Sequence, residues 1–334
     1  MENRYRESIL PQCRPKSKAA PQRHGCYTPP MTVFTPLSDD QIQQLLSRDS
    51  LTLVRQRPIA EGIENSNFML EARRANGIPV ALVLTVFETL DAKALPWFID
   101  LLQRLAHHGL PVAAPLGGND ALMSVANKPA LLVPRLSGSH IQRPDSSHCA
   151  SIGALLARLH SQPLPPPGPA PDPNAQLAQL VADHLGKLPA TQQDLAGKLL
   201  QRWQHHAPAP VLCHGDLFRD NVLFNGEQLT GMLDFYNAGA ASAEFDIAIA
   251  MNDWCVDATG RPDPALETAL LDGYQHQRPL GTAARMRLPL ALAIAALRFW
   301  LSRLGAPPSE QAIGQGSKDP EEFARLFARR AAAL

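Results

Sequence analysis

From Leu51 to Leu136 apolar residues come mostly in short alternating runs between turn residues, at 51–54, 67–71, 79–87, 122–125 and 130–135. That spacing predicts a largely antiparallel sheet. Between the third and fourth runs, residues 95–108 switch to helical spacing, with Pro96 in the first turn and Gly109 just past the end. A short helix is predicted ahead of the sheet, where Ser38 and Gln41 stand at capping-box spacing before Ile42, Leu45 and Leu46. Beyond the sheet the period is mostly helical, at 147–160, 175–187, 191–206, 243–254, 264–277, 283–304 and 319–332. Only 211–213, 221–224 and 228–233 read as strands there. No internal repeat is visible. The pattern predicts an α+β chain, a small sheet-rich part followed by a larger helical one.

Composition changes this picture in three places. At 334 residues there is room for about two domains. Lys plus Arg (31) equals Asp plus Glu (31), so no net field draws a polyanion and nucleic acid is not an expected partner. The 31 prolines concentrate in two segments: residues 1–30, expected to be a disordered leader ending just before a second possible start at Met31, and an exposed insertion at 163–173. Five cysteines without CxxC spacing indicate neither a disulfide framework nor a zinc site, and fit a reducing, cytoplasmic setting. The longest apolar run, Leu288–Leu297, is interrupted by Pro289 and too short to span a bilayer. It reads as a buried helix, and no membrane association is expected.

Candidate chemistry lies among the late strands. A strand at 211–213, a polar loop, a second strand, an Asn225-Gly226 turn and a third strand ending in Asp234 place His214, Asp216 and Asn221 on the loop with Asp234 folded back beside them. Phosphoryl transfer from a nucleotide needs this inventory: a carboxylate to orient and deprotonate the attacking hydroxyl, and an Asn with a second carboxylate to hold magnesium against the phosphates. A polar surface hairpin is the alternative reading. His214 reads as a buried group bonded to loop backbone rather than as a proton shuttle.

The block His214 to Phe224, with Leu233 to Tyr236, resembles the aminoglycoside phosphotransferase and choline kinase superfamily, whose fold is like that of protein kinases. Within it the chain is most similar to the bacterial homoserine kinases, through Met31 to Phe34, Ile59 to Phe68, Leu156 to His160, Phe245 to Cys255, Ala296 to Leu304 and Lys318 to Phe323. The resemblance implies a bilobal protein-kinase-like fold, with a nucleotide-binding lobe at 31–136 and a helical catalytic lobe at 137–334. It implies ATP and Mg2+, with L-homoserine phosphorylated on its hydroxyl for threonine biosynthesis. Asp216 is then the base, and Asn221 and Asp234 are the metal ligands. Gly62, Asn65, Ser66, Asn67 and Thr85 face the nucleotide, and backbone groups near Val133 and Arg135 face adenine. Asp246, like His214, supports the loop.

Thr85 stands where kinases of this fold usually carry a Lys or Arg, so a hydroxyl replaces a charge. Lys93, Arg55 and Arg57 are candidates for the missing cation by sequence proximity. For the acceptor, Arg298 on an apolar helix is expected to meet either the substrate carboxylate or an acidic helix neighbour. Asn252, Asp253 and Tyr236 are matched to the ammonium and hydroxyl end, or else are helix-surface polar groups and a packed tyrosine. Two readings stay open beside this one: a kinase of another small alcohol (choline, ethanolamine, hydroxylysine, methylthioribose or an aminoglycoside) and a nucleotide-binding scaffold without catalysis.

Overall fold

The helix predicted ahead of the sheet forms as α1 (Asp39–Leu46), opened by the capping box: Ser38 Oγ accepts from Gln41 N at 3.2 Å and Gln41 Oε1 accepts from Ser38 N at 2.9 Å. The structure is a computed structural model that describes residues 35–59, 65–166, 173–204, 208–257, 259–306 and 319–334. The expected leader, Gly62 and part of the proline-rich segment lie outside the described residues.

Five strands follow as one antiparallel sheet: β1 (Leu51–Ile59), β2 (Asn65–Arg74), β3 (Pro79–Phe87), β4 (Met123–Val125) and β5 (Lys128–Pro134), in the order β1-β2-β3-β5-β4. Period-two alternation assigns the two faces. Ser66, Phe68, Leu70 and Ala72 of β2 are buried, and the last three join Ile42, Leu45 and Leu46 of α1 in one apolar cluster. Asn65, Asn67 and Met69 take the opposite face. On that side α2 (Leu95–His107) sets Leu95 and Ile99 against Phe87 and Leu131.

The helical part comprises α3 (Ser146–His160), α4 (Pro173–His184), α5 (Ala190–Gln204), α6 (Ala243–Trp254), α7 (Pro264–Gln277), α8 (Thr282–Gly305) and α9 (Pro320–Ala332). Pro173, expected to belong to an insertion, instead opens α4, where its missing N–H is no loss. α8 is long and apolar enough to cross a membrane by length and composition. Its residues Leu290 to Leu297 are buried in the same core as Trp254 of α6, Tyr274 of α7 and Phe327 of α9.

The three expected late strands form, with the hairpin turn shifted. β7 (Val222–Asn225) and β8 (Gln228–Met232) form a hairpin, closed by the Asn225–Gln228 pair so that Gly226 and Glu227 make the turn, one residue later than predicted. β6 (Val211–Cys213) pairs elsewhere, with a strand the pattern did not show, β9 (Gly239–Ala241). The polar loop therefore runs from one small ribbon to another.

Candidate active site

Where β6 ends, the chain must turn sharply, and Gly215 at φ +79° makes that turn; a Cβ there would lie 2.4 Å from the Asn237 carbonyl oxygen. The turn is pinned from beneath by Asp246 in the first turn of α6. Its carboxylate accepts from His214 N and Gly215 N, both at 2.8 Å, and from His160 Nε2 at 3.0 Å, while His160 Nδ1 meets the Tyr274 hydroxyl at 2.9 Å. Burial pushes the Asp246 carboxyl up, but the His160 hydrogen bond and charge, with His214 and the Gly215 amide, hold it below the ordinary carboxylate range. His160, Cys213 and Asp246 are a buried cluster of ligand-type side chains. Both Asp246 oxygens are already filled by N–H donors, so the cluster reads as bracing rather than as a metal centre.

His214 is fully buried, and its Nε2 lies 2.8 Å from the Leu233 carbonyl, which can only accept. Nδ1 is then the acceptor for Asp216 N at 3.3 Å, which fixes a neutral ring with its proton on Nε2. Burial pushes its pKa down, against the pull of Asp246 and the Leu233 carbonyl.

Asp216 is half-buried, with Asn237 Nδ2 at 3.5 Å from its Oδ2. Asn221 ends the single 3-10 turn Arg219–Asn221, and its Nδ2 donates to the Asp216 carbonyl at 2.8 Å. That bond orients the amide, because its nitrogen must face the carbonyl and its oxygen is presented on the other side. Leu233 N donates to the Asn221 carbonyl at 2.9 Å, which brings exposed Asp234 alongside. Asp234 sits at φ +59°, ψ 70°, a left-handed conformation uncommon outside glycine and the kind of strain that collects at working sites. Asn221 and Asp234 each carry an oxygen donor of the kind that suits a hard divalent cation. The loop and the hairpin end thus place Asp216, Asn221 and Asp234 on directly bonded segments, with Asn237, which the sequence reading did not include, next to Asp216.

On the sheet, Thr85 Oγ1 donates to Asn67 Oδ1 at 2.8 Å, so the Asn67 amide nitrogen remains a donor on that face; Asn65 lies on the same face. Ser66 does not. Period two turns it to the α1 side, where its hydroxyl accepts from Thr35 N at 3.0 Å and donates to Glu88 at 2.5 Å. Glu88 is ion-paired in turn to Lys128. Register narrows which backbone groups near Val133 and Arg135 can face outward. Arg135 N donates to the Ala81 carbonyl at 3.0 Å, so residues 131, 133 and 135 direct their backbone groups at β3. Those of Leu132 and Pro134 point outward, and the Leu132 carbonyl accepts from Leu116 N at 2.8 Å. Arg55, Arg57 and Lys93 are exposed.

Three acceptor-side residues have protein partners instead. Asn252 is buried, donating to the Leu292 carbonyl at 2.8 Å and accepting from Arg330 Nε at 3.0 Å, so both ends of its amide are committed. Asp253 accepts from Arg219 N at 2.6 Å and Nε at 3.1 Å, and from Nη2 at 3.0 Å. Tyr236 is packed edge-on against Phe87 and Phe98, with ring centroids 5.3 and 5.4 Å away. Arg298, buried on α8, has no acidic hydrogen-bond partner among the described residues. It donates to the Gly215 carbonyl at 2.8 Å and to Gln176 Oε1 at 3.1 Å, beside Asp216.

Comparison with known proteins gives this arrangement its relatives. Residues 55–280 match the phosphotransferase enzyme family, APH. A homoserine kinase of Pseudomonas aeruginosa is 40% identical over 314 residues, covering 90% of this chain and 96% of its own length. One of Cupriavidus necator is 39% identical over 323 residues, with 90% and 96% covered. Among solved structures, an amicoumacin kinase in complex with AMP-PNP, Ca2+ and Ami superposes with a TM-score of 0.64 at 16% identity, over 88% of this chain and 94% of that one. That likeness shows a kinase-like fold. With its loop, hairpin and sheet arranged in that fold, the chain belongs to the phosphotransferase enzyme family.

Proposed function

We propose that the protein transfers the γ-phosphoryl group of ATP to the hydroxyl of L-homoserine, giving O-phospho-L-homoserine and ADP in the cytoplasm, as a step of threonine biosynthesis. The observation that carries the reaction class is the convergence of Asp216, Asn221 and Asp234 at the meeting of one loop and one hairpin. The acceptor is supported by the homoserine kinases that match nearly the whole chain.

In this reading Asp216 orients the acceptor hydroxyl and takes its proton as the bond to phosphorus forms. Its own orientation is supported by Asn237 and by the neutral His214 ring beneath its backbone. Asn221 and Asp234 hold Mg2+, which when bound offsets charge on the phosphates. Asn65 and Asn67 donate to the phosphates from the sheet, with the Thr85 hydroxyl fixing which way the Asn67 amide points, and outward backbone groups near Pro134 meet adenine. A guanidinium carries five donors, more than the two contacts to Gly215 and Gln176 use, so Arg298 is assigned the acceptor carboxylate.

A coupled ADP-release assay across homoserine, choline, ethanolamine, hydroxylysine, methylthioribose and an aminoglycoside tests the acceptor. Homoserine is expected to lead in kcat/KM by at least about 100-fold, and a lead by any other acceptor refutes the reading. In the same assay Asp216→Asn is expected to lower kcat by about 1,000-fold while nucleotide still binds. Turnover near that of the wild type in this variant removes the base assignment, and metal-dependent ADP production by the wild type rules out a scaffold.

A further inference from the structure

The loop that carries Asp216 and Asn221 is fastened at both ends by one helix face. Asp246, in the first turn of α6, holds the amides of His214 and Gly215; Asp253, two turns further along the same face, holds Arg219 at the other end. The second fastening is dense. One carboxylate accepts from the backbone N, the Nε and the Nη2 of a single residue, and Arg219 Nη1 donates to the Gln142 carbonyl at 3.1 Å. The pair is partly shielded, with side-chain exposures of 28% and 14%. It therefore escapes much of the screening that weakens surface pairs without the full desolvation cost of a buried one.

We infer that Arg219 and Asp253 are positioning residues for the metal site, setting the 3-10 turn Arg219–Asn221 so that the Asn221 amide oxygen is presented toward Asp234. The inference rests on Asn221 and Asp234 holding the cation. Its physical basis is short. Asn221 is fixed locally by three bonds, its Nδ2 on the Asp216 carbonyl, its N on the Phe218 carbonyl at 3.0 Å and its carbonyl on Leu233 N, and two of these partners, Asp216 and Phe218, belong to the loop just before the turn. The turn's other end is fixed at Arg219 by Asp253. With that end released, the loop before the turn loses its tether to α6, and because Asn221 is bonded to Asp216 and Phe218 of that loop, its oxygen shifts with it. This use also accounts for an Asp whose carboxylate is turned to the protein and not to an acceptor.

The test is Mn2+ binding to the enzyme–ADP complex, read from the EPR signal of free Mn2+, alongside steady-state kinetics. Asp253→Asn keeps an acceptor for the Arg219 amide but loses the charge pair, and is expected to raise the Mn2+ dissociation constant about 10-fold. Arg219→Lys, which keeps the charge but not the fork, is expected to raise it about 3-fold. In both variants the KM for homoserine should stay within about twofold of wild type. Unchanged Mn2+ affinity in both variants overturns the inference. So does a raised homoserine KM with unchanged Mn2+ affinity, which would return Asp253 to the acceptor site. Asn221→Ala separates the two layers of the argument. If it weakens Mn2+ binding while Asp253→Asn does not, the positioning role alone fails; if it leaves Mn2+ binding intact, the metal reading of Asn221 fails with it.

Discussion

His214 contributes to the loop through two bonds that require opposite roles of its ring nitrogens: Nε2 donates to Leu233 and Nδ1 accepts from Asp216 N. A second proton has no place on such a ring, and burial accordingly lowers the pKa from its usual 6.5. The sign of the pH effect follows. Below pH 6.5 the unfolded chain takes up a proton that the folded one refuses, so stability falls as pH drops through the interval from 6.5 down to the depressed folded value. Asp246 stays out of this window. Its folded pKa lies below 3.8, so its contribution is complete above that value and is lost only in stronger acid. Thermal midpoints between pH 7.5 and 5 should therefore fall more steeply for the wild type than for His214→Gln. Parallel slopes would show that another of the eleven histidines carries the effect.

At the scale of elements, α3 and α7 cross closely enough that each needs a glycine where the other's backbone passes. A Cβ on Gly153 would lie 1.9 Å from the Leu270 carbonyl oxygen, and one on Gly273 would lie 2.1 Å from that of Ala150. Alanine is the better helix former by about 1 kcal/mol, yet Gly153→Ala is expected to destabilise by about 3 kcal/mol or more, since main chain and not a flexible side chain must yield. Gly197, in α5 with nothing within 4 Å of its Cβ position, is the control. There Gly→Ala should stabilise by about 0.5–1 kcal/mol in urea unfolding. Equal effects at the two sites would contradict the crossing geometry. These helices were legible because 3.6-residue spacing and terminal signals are local, as Ser38, Gln41 and Pro264 show. What depends on pairing was not. Gly239–Ala241 has neither alternation nor β-branched residues, and becomes a strand because β6 supplies a partner. Whether Val133 or Pro134 points outward is decided by register with β3. Asp253 meets Arg219 through a tertiary contact 34 residues apart in sequence, so the spacing that exposed Asp216 and Asn221 could not show what braces them.

At the scale of the whole molecule, Tyr236 links the strand that carries Thr85 to the hairpin end that carries Asp234. It sits inside the 3-10 turn Phe235–Asn237 that follows Asp234, and its ring stands edge-on to Phe87 at the end of β3 and to Phe98 of α2. The sheet and the hairpin end that carries Asp234 therefore share one aromatic contact. Edge-to-face pairs add about 0.5–1.5 kcal/mol each beyond area burial, and this geometry asks nothing of the phenolic oxygen. Tyr236→Phe should accordingly retain both KM values within about twofold. Tyr236→Ala removes two ring contacts and leaves a gap between the two parts, and should cost about 3 kcal/mol of stability. It should also raise the KM for ATP about 10-fold, more than that for homoserine, because the nucleotide-facing strand loses its reference to Asp234. Calorimetric unfolding with steady-state kinetics on both variants checks this. A Tyr236→Phe enzyme with normal stability but a homoserine KM raised 10-fold would place the hydroxyl in the acceptor site and make the ring packing incidental to its use.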